Sequence, residues 1–135
     1  MTKIYLDNAA TSPMAPEVIE AMVLSMQNDF GNPSSTHALG RKSKASVEHC
    51  RKKIAQIFKS KPAEIIFTSG GTEADNQILR GSVHDLGVKT IISSPLEHHA
   101  VLHTIEELKE NNGINVEYVN LTPNGHIDML HLEQL

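Results

Sequence analysis

The sequence predicts an α/β fold built from βαβ units around a mainly parallel sheet. Three short runs rich in β-branched and aromatic residues occur at Glu64–Thr68 (EIIFT), Thr90–Ser93 (TIIS) and Asn115–Val119 (NVEYV). Between them lie two patterns that predict helices over Thr72–Leu86 and His99–Glu110. Two parallel strands need a crossover connection, and a helix is the usual one, so this alternation favours a parallel sheet.

The segment before these runs predicts a short extended piece followed by a helix. Ile4–Leu6 is predicted as a short strand that leads into the turn-forming residues DNAATSP. Pro16 is expected to begin the helix, because proline is tolerated in the first helical turn. The apolar face of this helix repeats at steps of four residues and comprises Val18, Met22 and Met26.

A loop and a second, longer helix follow. Asn28–Ser35 (NDFGNPSS) has the Gly, Pro, Asn and Ser content of a loop. The helix is predicted from about Ser35 to Phe58, where Lys61-Pro62 stops it. Its apolar seam has steps of three and four residues and comprises Val47, Cys50, Ile54 and Ile57.

Length and composition are those of one globular domain. The 135 residues are 39% hydrophobic and 21% charged, which excludes a disordered or low-complexity chain. We expect an N-terminal segment over residues 1–15 and a larger domain over 16–135. Met129, Leu132 and Leu135 begin a further apolar seam on which the sequence stops. This suggests that the large domain is only partly present and that the sequence belongs to a longer chain.

Charge and cysteine content exclude several classes of partner. The formal net charge is −4, and 4% of the residues are aromatic, so nucleic-acid binding is not expected. No apolar run approaches the roughly 20 residues of a membrane helix, and the N-terminus lacks the apolar core of a signal peptide. The single cysteine fits a reducing compartment. We therefore expect a cytoplasmic protein.

The turn Ser69-Gly70-Gly71-Thr72 joins the first β-rich run directly to a helix. Free amide groups and the positive end of the helix dipole would meet there, and Thr72 adds a hydroxyl, so the turn suits an anion such as phosphate. The alternative is an ordinary helix start with Gly70 as N-cap and Glu73 at the third helical position. Neither GxGxxG nor a P-loop Gly-Lys-Ser/Thr is present, which disfavours NAD and ATP.

Histidines cluster after the second β-rich run. His98 lies at its carboxyl end, where α/β sheets bind ligands, and an imidazole there could pack on an aromatic ligand and transfer protons. His99 and His103 are four residues apart and would share a helix face, which leaves a metal site as an alternative. The HExxH pattern is absent, and no metal is expected.

The single cysteine, Cys50, lies within the seam of the long helix. A lone cysteine can be a nucleophile, but this position favours a small hydrophobic core residue.

Five segments together carry a resemblance to a known family. They are Tyr5–Pro13 (YLDNAATSP), Phe30–Gly40 (FGNPSSTHALG), Glu64–Asn76 (EIIFTSGGTEADN), Ser93–Leu102 (SSPLEHHAVL) and Asn124–Leu135 (NGHIDMLHLEQL). In this order they resemble the N-terminal part of cysteine desulfurases of the NifS/IscS type. Those are class V aminotransferase-like enzymes with the type I pyridoxal-phosphate fold. The resemblance spans essentially the whole sequence.

The resemblance implies a cofactor, a reaction and partners. Such enzymes use pyridoxal 5′-phosphate to remove sulfur from L-cysteine, giving L-alanine and an enzyme persulfide that supplies iron–sulfur clusters or thio-cofactors. By resemblance, Gly71 and Thr72 would bind the cofactor phosphate. His98 would stack on the pyridine ring and assist proton transfer as a catalytic residue. The active-site lining would include Asn8, Ala9, Thr11, Asn32 and His37. A homodimer and a sulfur-acceptor or scaffold protein are also implied.

Other family residues have no counterpart in this sequence. The Ser-Gly-His-Lys turn that carries the family's Schiff-base lysine is absent, and Cys50 does not align with the catalytic cysteine. We therefore expect the 135-residue chain alone to be inactive and to self-associate or be marginally stable. Two alternatives remain: a selenocysteine lyase or another class V relative, and a non-catalytic binding or assembly module.

Overall fold

The computed structural model describes residues 4–135, which form two compact units divided between Ile66 and Phe67. The first unit contains α1 (Pro16–Asn28), α2 (Ala38–Ile57) and a 3-10 turn (Pro62–Glu64). The second unit contains, in chain order, α3 (Gly71–His84), β1 (Thr90–Ser93), α4 (His99–Asn112), β2 (Asn115–Tyr118) and α5 (Met129–Gln134). The boundary predicted at residue 15 stays a prediction.

The N-terminal part of the first unit has a helix where predicted but no strand. Pro16 is the first residue of α1, as the sequence indicated. The apolar seam of α1 has the predicted spacing, yet no residue of the helix is buried within the chain. The strand predicted at Ile4–Leu6 is wrong: the described residues supply no neighbouring strand with which it could form a ladder.

The helix α2 begins at Ala38, three residues later than predicted, because the residues before it form a turn. The Asn32 side-chain oxygen accepts a hydrogen bond from the Ser34 amide at 2.9 Å, and the Asn32 carbonyl accepts one from the Ser35 amide at 2.9 Å. The N-cap of the helix is His37, whose Nδ1 accepts from the Gly40 amide at 3.2 Å. The predicted end at Phe58 is one residue beyond the observed one.

The prediction that α2 buries its apolar seam is wrong, because the helix buries other residues. The residues of α2 that are buried are Gly40, Ser43 and Ala55. Cys50 is exposed, and 75% of the Ile57 surface is accessible. The buried residues lie on the face of α2 that packs on the preceding loop and on the 3-10 turn. The spacing of apolar residues therefore predicted the wrong face.

The β-rich run Glu64–Thr68 does not form the predicted strand. Its first residue ends the 3-10 turn, and Ile65 has an extended backbone with φ −96° and ψ 119°. The Ile65 carbonyl accepts a hydrogen bond from the Arg51 guanidinium. An extended segment becomes a strand only when it is paired, and the described part of the chain pairs β1 with β2 alone.

The second unit contains the predicted parallel βαβ arrangement. β1 pairs in parallel with β2, with Thr90 opposite Asn115 and Ser93 opposite Tyr118. β1 has both predicted bounds, and β2 ends one residue before the predicted Val119. The crossover helix α4 ends at Asn112, and its C-cap is Gly113, whose φ of 64° suits glycine.

The core of the second unit lies between its helices and the sheet. Val83 of α3 and Leu108 of α4 are buried against Ile114, which directly precedes β2. Ile91 of β1 and Val116 of β2 pack on this cluster. The chain beyond β2 turns back, and Asp128 caps α5 by accepting from the Leu130 and His131 amides. No helix in the described residues has both the length and the apolar character needed to cross a membrane.

Candidate functional site

The N-terminus of α3 presents amide groups without acceptors. Gly70 is the N-cap, and the first backbone hydrogen bond of the helix joins the Ala74 amide to the Gly70 carbonyl at 3.2 Å. The amides of Gly71, Thr72 and Glu73 therefore have no backbone acceptor among residues 4–135. A Cβ built on either glycine would meet nothing within 4 Å, so open space adjoins these donors.

The capping arrangement considered for this turn is also present, in a modified form. Glu73 is the third helical residue, but its carboxylate accepts from the Ser69 amide at 2.6 Å rather than from that of Gly70. This hydrogen bond lowers the pKa of the Glu73 carboxyl below its ordinary value. Because the Glu73 side chain takes up only the Ser69 amide, capping and anion binding are compatible in this turn.

His98 is the N-cap of α4. Its Nδ1 accepts from the Ala100 amide at 3.1 Å, which assigns the ring hydrogen of the neutral imidazole to Nε2. The side chain is exposed, so Nε2–H can contact a ligand. The sequence predicted His98 as the imidazole of the site, and the structure adds that the same ring starts the helix.

Thr72 and His98 line the same cleft, which has a volume of about 380 Å³. Its walls are α3 and the first half of α4, the crossover helix that follows the carboxyl end of β1. The cleft thus has Thr72, at the start of one helix, on one wall and the His98 imidazole, at the start of another, on the opposite wall. Such a combination suits a ligand that has both an anionic group and an aromatic ring.

A hydrogen-bonded network joins the two walls. Asn76 Nδ2 donates to the Thr72 carbonyl at 2.9 Å, and Asn76 Oδ1 lies 2.9 Å from the Thr104 hydroxyl. Arg80 donates from Nε to Asn76 Oδ1 at 3.2 Å and makes a two-bond ion pair with Glu107, one bond being 3.0 Å. The guanidinium of Arg80 holds the pKa of the Glu107 carboxyl below its ordinary value.

The sequence did not reveal this network. Thr72, Asn76 and Arg80 are spaced four residues apart and therefore share one face of α3. That spacing is a usable signal, but the partner residues on α4 follow 27 and 28 positions later and carry no local pattern.

The five lining residues implied by resemblance all lie in the first unit. Asn32 and His37 hold the turn before α2, as described above. Asn8 Nδ2 donates to the Tyr5 carbonyl at 3.3 Å, and Ala9 is exposed. Thr11 lines a shallow depression together with Tyr5. Their place in an active-site lining stays a prediction.

The metal site considered at His99 and His103 has no third ligand among residues 4–135. The two rings are tilted, with centroids 5.0 Å apart. Among residues 4–135, no group of three or more His, Cys, Asp or Glu side chains is placed to hold a metal ion.

Comparison with solved structures places the fold among type I pyridoxal-phosphate enzymes. A NifS-like protein superposes with a TM-score of 0.92 at 35% identity, covering 99% of this chain and 37% of that protein. The apo cysteine desulfurase of Thermococcus onnurineus NA1 superposes with a TM-score of 0.85 at 29% identity, covering 97% of this chain and 33% of that protein. Both contain the arrangement of helices and parallel strands described above.

Sequence comparison gives the family. The profile described as aminotransferase class-V matches residues 4–135. The chain belongs to the aminotransferase class-V family. A putative cysteine desulfurase IscS 1 of Bacillus subtilis is 45% identical over 137 residues, covering 99% of this chain and 36% of that protein. The mitochondrial cysteine desulfurase of Drosophila melanogaster is 41% identical over 134 residues, covering 97% of this chain and 29% of that protein. The chain thus spans about a third of the length of these relatives.

Pyridoxal 5′-phosphate is the cofactor of this family, and the cleft fits it. The amides at the start of α3 and the Thr72 hydroxyl are donors for a phosphate, and the space beside Gly70 and Gly71 is open. The exposed imidazole of His98 lies in the same cleft and offers a flat face and an N–H to the ring. This observation supports the assignment of Gly71, Thr72 and His98 that the resemblance implied.

Proposed function

We propose that this chain carries the phosphate-binding and ring-binding residues of a pyridoxal-phosphate-dependent cysteine desulfurase. The observation that carries the proposal is the single cleft in which Thr72 and His98 meet. The relatives named as cysteine desulfurases, at 41–45% identity, give the reaction class. The cofactor, when bound, supplies an electron sink for bond breaking at the substrate amino acid.

Each residue has a distinct task in this proposal. The amides of Gly71 and Thr72, with the Thr72 hydroxyl, fix the phosphate and so the position of the ring. His98 covers one face of the ring and excludes water from it. Since its Nδ1 is held by the Ala100 amide, proton exchange with a bound substrate would pass through Nε2.

The substrate, partners and setting follow from the same proposal. L-cysteine is the substrate, with L-alanine as product and the sulfur passed to an acceptor or scaffold protein for iron–sulfur clusters or thio-cofactors. The enzyme is a homodimer in the cytoplasm. The resemblance supports each of these, and the iron–sulfur role draws further support from relatives named IscS.

The experiment is a titration with pyridoxal 5′-phosphate followed by absorbance and induced circular dichroism. Thr72→Val removes the hydroxyl with little change of shape. His98→Asn removes the imidazole but leaves a side-chain oxygen that can still cap α4. Losing one hydrogen bond to a charged group corresponds to roughly 10-fold to 100-fold weaker binding. We expect that loss for Thr72→Val, and a weakened dichroism band for His98→Asn.

The control is His49→Gln, which changes an exposed imidazole on α2 that does not line the cleft. It should bind the cofactor nearly as well as the unsubstituted protein. For the reaction itself, the enzyme that contains this chain, purified from its own cells, should release L-alanine from L-cysteine, whereas the 135-residue chain alone should not. A site that binds no cofactor, or turnover of L-selenocysteine without turnover of L-cysteine, would contradict the proposal.

A further inference from the structure

We infer that Asn76 and Thr104 are positioning residues that hold the phosphate-binding start of α3 in register with the ring-binding His98 at the start of α4. This inference rests on the proposed function. Both residues line the same cleft as Thr72 and His98, and the inference assigns them the role of aligning these two groups.

A continuous path of hydrogen bonds connects the two sites. Asn76 Nδ2 holds the Thr72 carbonyl, and Asn76 Oδ1 faces the Thr104 hydroxyl at 2.9 Å. The same hydroxyl lies 2.8 Å from the Ala100 carbonyl. The Ala100 amide in turn donates to His98 Nδ1. Every bond between Thr72 and His98 on this path is local to its helix except the one that joins Asn76 to Thr104.

Burial makes the contact between Asn76 and Thr104 specific. Thr104 is 4% exposed, so its hydroxyl has no solvent with which to exchange partners, and its one hydrogen is shared between two protein acceptors. Asn76 is half-buried, and Arg80 Nε also donates to its oxygen. The amide orientation is thereby determined, since a reversed amide would place its NH₂ group against the Arg80 donor and its oxygen against the Thr72 carbonyl.

The ion pair of Arg80 with Glu107 lies one turn further along both helices and has a different role. It also joins α3 to α4, but both side chains are more than a third exposed. Exposed ion pairs contribute little to stability and tolerate movement. The Asn76–Thr104 contact is closer to both helix starts, so it controls their relative placement more directly.

Displacement of one helix start relative to the other would affect the binding of pyridoxal 5′-phosphate more than the binding of free phosphate. A free phosphate needs only the start of α3, whereas pyridoxal 5′-phosphate needs that start and His98 at a fixed separation. Misplacement of about 1 Å between binding groups can cost up to about 100-fold where geometry matters. Loss of the Thr104 hydroxyl should therefore weaken cofactor binding while leaving the affinity for inorganic phosphate nearly unchanged.

The test compares Thr104→Val with Thr104→Ser. Valine keeps the shape and removes the hydroxyl, and serine restores the hydroxyl. Dissociation constants are measured for pyridoxal 5′-phosphate and for inorganic phosphate, together with the induced circular dichroism of the bound ring. We expect Thr104→Val to weaken cofactor binding roughly 10-fold, by analogy with one well-placed hydrogen bond, and phosphate binding less than twofold. Thr104→Ser should restore the cofactor affinity and the dichroism band.

The matched control is Ser43→Ala in α2, which also removes a buried hydroxyl. Ser43 is 4% exposed and donates to the Asp29 carbonyl at 2.9 Å, in the other unit of the chain. It should leave the ratio of the two affinities unchanged even if stability falls.

The outcomes separate this inference from the proposed function. If the unsubstituted protein binds no cofactor, the proposed function fails and the inference fails with it. If the cofactor binds and Thr104→Val weakens phosphate and cofactor equally, or neither, only the inference is overturned.

Discussion

Gly40→Ala should destabilise the first unit, although it replaces glycine by a better helix former. Gly40 is buried in the first turn of α2 and packs against the loop that carries Asn32 and His37. A Cβ at this position would lie 2.5 Å from the Ser35 carbonyl oxygen and 2.6 Å from the Asn32 carbonyl oxygen. Both are backbone atoms, so neither can move aside by a change of rotamer.

The expected magnitude comes from two opposing effects. Overpacking of this kind typically costs about 1–3 kcal/mol. The gain in helix propensity from glycine to alanine is roughly 0.5–1 kcal/mol. The central values of the two effects leave a net loss of about 1 kcal/mol. Each kcal/mol shifts the unfolding midpoint by about 4–8 °C in a cooperative unit of about 60–100 residues.

Gly81→Ala in α3 is the matched control. It makes the same chemical change inside a helix, but the added Cβ would meet only Asp85 Oδ2, at an ordinary 3.6 Å. This variant should gain about 0.5–1 kcal/mol. Thermal and urea unfolding followed by circular dichroism measures both. If Gly40→Ala proves as stable as the unsubstituted protein, the close packing of the loop on α2 does not exist in solution.

Two further predictions concern a carboxylate and the cysteine. Because the pKa of Glu107 is lowered by Arg80, the ion pair stabilises the protein above the ordinary carboxyl value of 4.5 and loses that effect as the pH falls through the lowered pKa. Glu107→Gln should therefore lower the melting temperature only slightly at pH 7, since both side chains are exposed, and the difference should disappear in acid. A difference that persists at low pH would contradict the ion pair as its cause. Cys50 is exposed and should react with a thiol reagent in the folded protein, and Cys50→Ser should change stability by less than about 0.5 kcal/mol. Protection of the thiol until unfolding would instead support the buried position that the seam predicted.

The strand predictions succeeded or failed according to pairing and not according to the strength of the local pattern. The run Thr90–Ser93 has both bounds correct because a short β-branched run is paired along its whole length with β2. Glu64–Thr68 has an equally strong pattern and is not a strand, since pairing depends on a neighbour and not on the run itself. Cys50 shows that helix patterns have the same limitation: the spacing of apolar residues defines a helix face but does not say whether another element covers it.

The residues of the candidate site also differ in how far a local motif could predict them. Thr72 and His98 follow from short motifs, because a helix start and a histidine at the end of a strand have chemistry that is visible in a few residues. Asn76 and Thr104 do not, because what matters is a contact between side chains 28 positions apart. A side chain with recognisable chemistry in a short motif is thus easier to propose from sequence than one whose role depends on a distant contact.

The two N-capping histidines show why position must be known before a role is assigned. His37 and His98 both accept a backbone amide at Nδ1 and both begin a helix. An alanine substitution at either would remove a cap, at a typical cost of about 1 kcal/mol, together with any chemistry of the ring. Asparagine retains a capping oxygen and removes only the imidazole. If His98→Asn loses the ring signal of the cofactor at unchanged stability, the imidazole acts on the ligand; if His37→Asn loses nothing, His37 serves its helix alone.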